Sequence, residues 1–171
     1  MTPLFVLVGG WPASGKSTLA AALALELGLP YLSKDEVKEA LMDALGPPRD
    51  VAASRRLGVA AVHAVLRTAR TCPGAVIDST WFDYTKPLAE GLPGLRVEIR
   101  CLTDRDTVTA RYASRQRDDR HLDILRTEEE LWGEPVAALG VGPLIDVDTT
   151  GEVDIVSLAQ RIMSEVARLQ S

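Results

Sequence analysis

A glycine-bracketed loop between an apolar run and a helix-forming run constrains this chain more than any other feature. Residues 10–17 read Gly10-Trp11-Pro12-Ala13-Ser14-Gly15-Lys16-Ser17, which fits the spacing G-x-x-x-x-G-K-[ST]. Leu4 to Val8 before it has the pattern of a buried strand, and Thr18-Leu19-Ala20-Ala21-Ala22-Leu23 after it favours helix. In this strand–loop–helix context successive backbone N–H groups curl around a phosphate, and the helix N-terminus adds partial positive charge. Gly10 and Gly15 let the main chain turn and approach the ligand without a Cβ in the way. Pro12, Ala13, Ser14 and Thr18 complete the cradle. Lys16 is expected to reach the β- and γ-phosphates of a nucleotide, and the Ser17 hydroxyl to ligate Mg²⁺.

Strand and helix patterns alternate along the rest of the chain. The first helix stops near Leu27 at Gly28, and Tyr31-Leu32 is a short second strand. Ser33-Lys34-Asp35-Glu36 is an S-x-x-E capping box opening a helix that ends at Gly46-Pro47-Pro48. Ser54 to Arg70 repeats apolar residues at helical spacing, and Ala75-Val76-Ile77 is a buried strand ending at Asp78. A helix is expected near Thr85 to Glu90, a strand at Leu95 to Leu102, and a helix from Thr103 towards Arg115. Further helices are expected at Thr127 to Leu139 and Asp154 to Gln170, around a fifth strand ending at Asp148. Such alternation predicts an α/β architecture with a parallel sheet covered on both faces.

At 171 residues, with no repeat, low-complexity segment or linker, a single domain over residues 1–171 is expected. A net charge of −5 gives no overall attraction to nucleic acid or anionic membranes. Cys72 and Cys101 are too few for a disulfide framework or a zinc site, which fits a reducing cytoplasm. The opening apolar run ends at Gly9, too short for a membrane span.

In an open parallel sheet, ligands bind at the carboxyl ends of the strands. The loop, Asp35 and Asp78-Ser79-Thr80 all fall there. Asp35, in a helix first turn, stays ionised and is suited to take the proton of an attacking hydroxyl. Asp78 has the position of a strand-end carboxylate that holds a metal, directly or through water. Thr80 and Trp81 are candidates for the acceptor pocket. Arg111 and Arg115 are spaced i, i+4, and Arg117 and Arg120 follow in a polar stretch. A lid over residues 111–127 would bring arginines to the phosphates and exclude water. His63 reads as structural, and His121 lies inside the lid.

Taken together, Gly9 to Thr18, Ser33 to Lys38, Ile77-Asp78-Ser79-Thr80 and Asp146-Val147-Asp148-Thr149 resemble the small ATP-dependent P-loop kinases grouped with polynucleotide 5′-kinase, chloramphenicol phosphotransferase and the zeta toxins. The resemblance implies a three-layer P-loop NTPase fold with a five-stranded sheet in the order 2-3-1-4-5. It implies ATP and Mg²⁺ as cofactors, Asp35 as general base, Lys16, Arg115 and Arg120 on the transferring phosphate, and Arg111 on the ATP phosphates. Thr149 would lie near the adenine. Lys38 stands where the polynucleotide kinases carry a substrate-binding arginine, and Trp81 where an asparagine often follows. Both departures favour a small, more apolar hydroxyl acceptor over an RNA or DNA 5′-end. The alternative outside catalysis is an ATP-binding sensor.

Overall fold

Leu4–Gly10 forms the first strand, β1, and its side chains alternate between two apolar environments. Val6 and Val8 enter one core with Leu19, Leu23, Leu158 and Ile162, while Phe5 and Leu7 enter a second with Val62, Leu66, Ile77 and Trp81. A strand apolar on both faces must be covered on both sides, which is why it stands in the middle of a parallel sheet. The computed structural model describes residues 2–114, 127–133 and 136–171. With β2 (Tyr31–Ser33), β3 (Gly74–Asp78), β4 (Leu95–Leu102) and β5 (Leu144–Asp148), the sheet runs in the order β2-β3-β1-β4-β5, and every pairing is parallel. This is the three-layer P-loop order expected above.

The helices are α1 (Lys16–Leu27), α2 (Lys34–Leu45), α3 (Val51–Ala69), α4 (Lys86–Glu90), α5 (Arg105–Ser114), α6 (Glu128–Trp132) and α7 (Ile155–Leu169). α1 and α7 cover one face; α3 and α4 cover the other. Local chemistry sets their ends. Asp50, Asp104 and Asp154 each accept a backbone N–H three residues on, at 2.7, 2.8 and 3.0 Å. Gly28 closes α1 with φ 63°, a left-handed turn that L side chains resist. Among the described residues, no helix is long and apolar enough to cross a membrane.

The structure corrects two expectations about helices. α3 begins at Val51 rather than Ser54, because Asp50 provides an N-cap ahead of the apolar pattern. The helix expected to reach Leu139 ends at Trp132. Gly133 and Pro135 interrupt the pattern, and the N–H groups of Leu139 and Val141 are taken at 2.7 and 2.6 Å by the buried Glu98 carboxylate on β4. The body of the expected lid, including Arg115, Arg117, Arg120 and His121, lies outside the described residues.

Register brings the chemistry together. Val8 pairs with Asp78, and Asp78 pairs with Ser33, so the loop after β1, the end of β3 and the start of α2 share one edge.

Candidate active site

The loop between β1 and α1 is held from several sides. Gly10 has no room for a Cβ, which would come 2.9 Å from the Cys101 Cβ and 2.5 Å from the Ser14 Oγ. Ala13 adopts φ 63°, a conformation that costs an L-residue roughly 1–2 kcal/mol and that persists where surrounding structure imposes it. The Ser14 carbonyl accepts the Thr103 hydroxyl at 3.2 Å, and Thr103 shares a 2.7 Å hydrogen bond with the Thr149 hydroxyl. The Pro12 carbonyl accepts the Trp132 indole N–H at 3.3 Å. Loop, β4, β5 and α6 therefore hold one another in place.

On the α1 side lies a cavity of about 560 Å³, lined by Ala13, Gly15, Lys16, Ser17 and Thr18 together with Arg111 and Thr149. Its size suits a nucleotide. Arg111 donates to the carbonyls of Thr149 and Thr150 at 2.9 and 2.8 Å, which ties α5 to the loop after β5. Lys16 is buried. Burial pushes the neighbouring Cys101 thiol up to about 12, the Lys16 charge pulling it down and the Asp78 charge pushing it up. Lys16 and Asp78 thus act on the same buried thiol beneath the loop.

Asp78 is 3% exposed. One carboxylate oxygen accepts the Tyr31 hydroxyl at 3.2 Å; the other, Oδ1, has no hydrogen-bond partner among the described residues. Burial first, and then the Asp78 charge, raise the Tyr31 hydroxyl to about 12, so it remains a donor. An orphaned, buried carboxylate oxygen is costly unless a cation or water completes it. A carboxylate oxygen such as this and the Ser17 hydroxyl are oxygen donors of the kind Mg²⁺ would take.

Asp35 lies in the first turn of α2, and its carboxylate meets the Lys34 ammonium at 3.0 Å. Next to it, lined by its partner Lys34 but not by Asp35 itself, is a second cavity of about 480 Å³, bounded also by Lys38, Arg55, Thr80, Phe82 and Tyr84. Lys38 is 4% exposed and donates to the Ser54 hydroxyl at 2.8 Å, which joins α2 to α3.

One aromatic residue departs from the sequence reading, and a second packs away from the Asp35 side. Trp81, expected in the acceptor pocket, is buried beneath the phosphate loop, where its indole N–H donates to the Val8 carbonyl at 3.1 Å. Trp11, inside the phosphate loop, packs against Val108, Leu131 and Trp132, so it adds no aromatic surface on the Asp35 side. The aromatic surface on the Asp35 side comes instead from Phe82 and Tyr84, stacked with centroids 5.9 Å apart. These two, with Arg55, Tyr31 and Glu98, escaped the sequence reading. Phe82 and Tyr84 could have been suspected, since they directly follow the strand-end Asp78-Ser79-Thr80.

Residues 5–129 match the family model described as AAA domain. The chain belongs to this AAA domain family. An uncharacterized protein of Mycobacterium tuberculosis (strain H37Rv) is 34% identical over 129 residues, covering 67% of this chain and 26% of that protein. The chain thus spans about a quarter of the length of the curated relatives it matches. Among solved structures, a candidate kinase from Chloroflexus aurantiacus superposes with a TM-score of 0.80 at 32% identity, covering 96% of this chain and 99% of that one. Shikimate kinase from Acinetobacter baumannii, solved with shikimate, superposes with a TM-score of 0.56 at 17% identity, covering 99% and 96%, a likeness of fold. Family and fold are those of small P-loop kinase-like proteins, and a kinase-type enzyme is the coarse reading they support.

Proposed function

We propose that the protein is a cytoplasmic, Mg²⁺- and ATP-dependent phosphotransferase that moves the γ-phosphoryl group to a hydroxyl of a small molecule. One observation carries this reading. The phosphate loop, Asp78 and the first turn of α2 stand at neighbouring strand ends in register, with a nucleotide-sized cavity beside the loop and a smaller one beside Asp35.

Lys16 and the backbone N–H groups of the loop, which Pro12 lacks, hold the triphosphate, with Arg111 on its phosphates and Thr149 near the adenine. Ser17, and Asp78 through water, would hold the metal, whose charge would offset that of the phosphates. Asp35 orients the acceptor hydroxyl and takes its proton as the new O–P bond forms and the bond from phosphorus to ADP breaks. Lys38 and Thr80 lie where they can touch the acceptor. Arg115 and Arg120 are assigned to charge on the transferring group by the family resemblance.

The test is to incubate the protein with Mg²⁺-ATP and a panel of sugars, hydroxy acids, nucleosides, oligonucleotides and hydroxylated antibiotics, and to look for a mass gain of one phosphoryl group. Asp35→Asn is then expected to keep ATP affinity while transfer to the acceptor falls roughly 10²- to 10⁴-fold. Turnover of that acceptor at the wild-type rate would remove Asp35 as the base. ATP binding without transfer to any acceptor favours the sensor. Transfer to oligonucleotide 5′-ends, with binding that weakens steeply as salt rises, favours a polynucleotide kinase.

A further inference from the structure

The cavity beside Asp35 is more cationic than the sequence led one to expect. Lys34 and Lys38 reach it from α2, and Arg55 from α3. Among the described residues no acidic side chain lines it, although the chain carries a net charge of −5. Lys34 extends across the cavity and comes within 3.7 Å of the Cβ position of Gly58 on the opposite helix, while its ammonium meets Asp35. Lys38 is buried in the wall, where low dielectric strengthens the field of its charge. Arg55 is exposed and carries the planar fork that matches a carboxylate or phosphate with two parallel hydrogen bonds. Phe82 and Tyr84, 54% and 48% exposed, offer apolar ring surface on the same cavity.

We propose that the acceptor is itself an anion: a small hydroxylated molecule whose carboxylate or phosphate ester is held by Lys34, Lys38 and Arg55, with an apolar or planar part against Phe82 and Tyr84. The inference rests on the phosphotransfer reading for the hydroxyl and goes beyond it in naming what else the acceptor carries. It also reverses the expectation of an apolar acceptor. Lys34 and Lys38 from α2 and Arg55 from α3 bring positive charge to the cavity from two helices, which favours an anionic ligand over a neutral one. The same charges let a negatively charged acceptor approach the Asp35 carboxylate, which would otherwise repel it. A volume of about 480 Å³ holds one such molecule.

The test uses the full chain with a non-hydrolysable ATP analogue and Mg²⁺, and measures binding by ligand-observed NMR. The probes are matched pairs: hydroxy acids against their amides, and sugar or nucleoside monophosphates against the unphosphorylated parents. The charged members are expected to bind roughly 10- to 100-fold more tightly than their neutral partners. The two sets of pairs also separate carboxylate from phosphate. Arg55→Gln, on an exposed helix face, is expected to cut that preference to within about threefold while nucleotide affinity is unchanged. Phe82→Ala should weaken aromatic acids more than aliphatic ones.

Charge-selective binding with ATP but no phosphoryl transfer would leave this anion site standing and remove the phosphotransfer reading. Neutral members binding as well as charged ones would overturn the inference. So would an intact preference in Arg55→Gln, or no charged member binding while the nucleotide analogue does.

Discussion

The contact between Gly9 and Trp81 gives a sharp test of how the phosphate loop is held. A Cβ at Gly9 would fall 2.7 Å from Cδ1 of the indole and 3.4 Å from its Nε1. The ring has little freedom to yield, being buried among the side chains beneath β1 and bonded to the Val8 carbonyl at 3.1 Å. Gly9→Ala therefore forces either the loop or the indole to move. Overpacking of this kind costs about 1–3 kcal/mol, and losing the indole hydrogen bond adds about 1. A total near 2–4 kcal/mol corresponds to a fall in Tm of roughly 5–15 °C for a chain of this length. Trp81→Leu removes the obstructing ring, so adding Gly9→Ala to that background should cost less than about 0.5 kcal/mol. Urea denaturation of the four proteins gives the coupling energy, and an ATP titration shows whether the displaced loop binds more weakly in Gly9→Ala alone. Equal costs of Gly9→Ala in both backgrounds would refute the argument.

Two further predictions concern buried or half-buried oxygens. In Glu98→Gln the amide NH₂ must face one of the two backbone N–H groups that the carboxylate now accepts, at Leu139 and Val141. A loss of about 2–3 kcal/mol is expected by denaturation, with ATP affinity unchanged; a loss below about 0.5 would refute it. Tyr31→Phe removes the donor that orients the Asp78 carboxylate. The Mg²⁺ concentration needed for half-maximal tightening of ATP binding should rise about 3- to 10-fold while metal-free ATP affinity stays constant, and superimposable Mg²⁺ curves would sink the idea.

What the sequence conveyed tracks with how local each signal is. The loop of residues 10–17, the strand β1 and the caps before α2 and α5 are written in adjacent residues, and the structure has them in place. The sheet order came through resemblance rather than periodicity, because a buried strand reads the same at any position in a parallel sheet. Side-chain direction was the hard part. Trp11 and Trp81 both neighbour the phosphate-binding and strand-end motifs, yet one packs towards α6 and the other beneath the loop, a choice made by tertiary packing. Arg55 was invisible for a different reason. It is 17 positions beyond Lys38, and only the packing of α3 on α2 makes them neighbours around one cavity. The overlong helix after Thr127 shows apolar periodicity being trusted past Gly133 and Pro135. Glu98, the buried charge of a strand that also carries Arg96 and Arg100, gave no hint of which backbone groups it would serve.

The way Arg111 is anchored bears on how this chain can diverge. Its guanidinium bonds to main-chain carbonyls at Thr149 and Thr150, and a carbonyl is the same acceptor whatever side chain it carries. The exposed position 150 can therefore change chemical character without loosening the hold of α5 on that wall of the nucleotide-sized cavity. Inserting or deleting one residue there would shift both acceptors and break the pair of bonds. Position 150 should tolerate substitution while the segment resists changes in length, so its spacing is under tighter constraint than the identity of that residue.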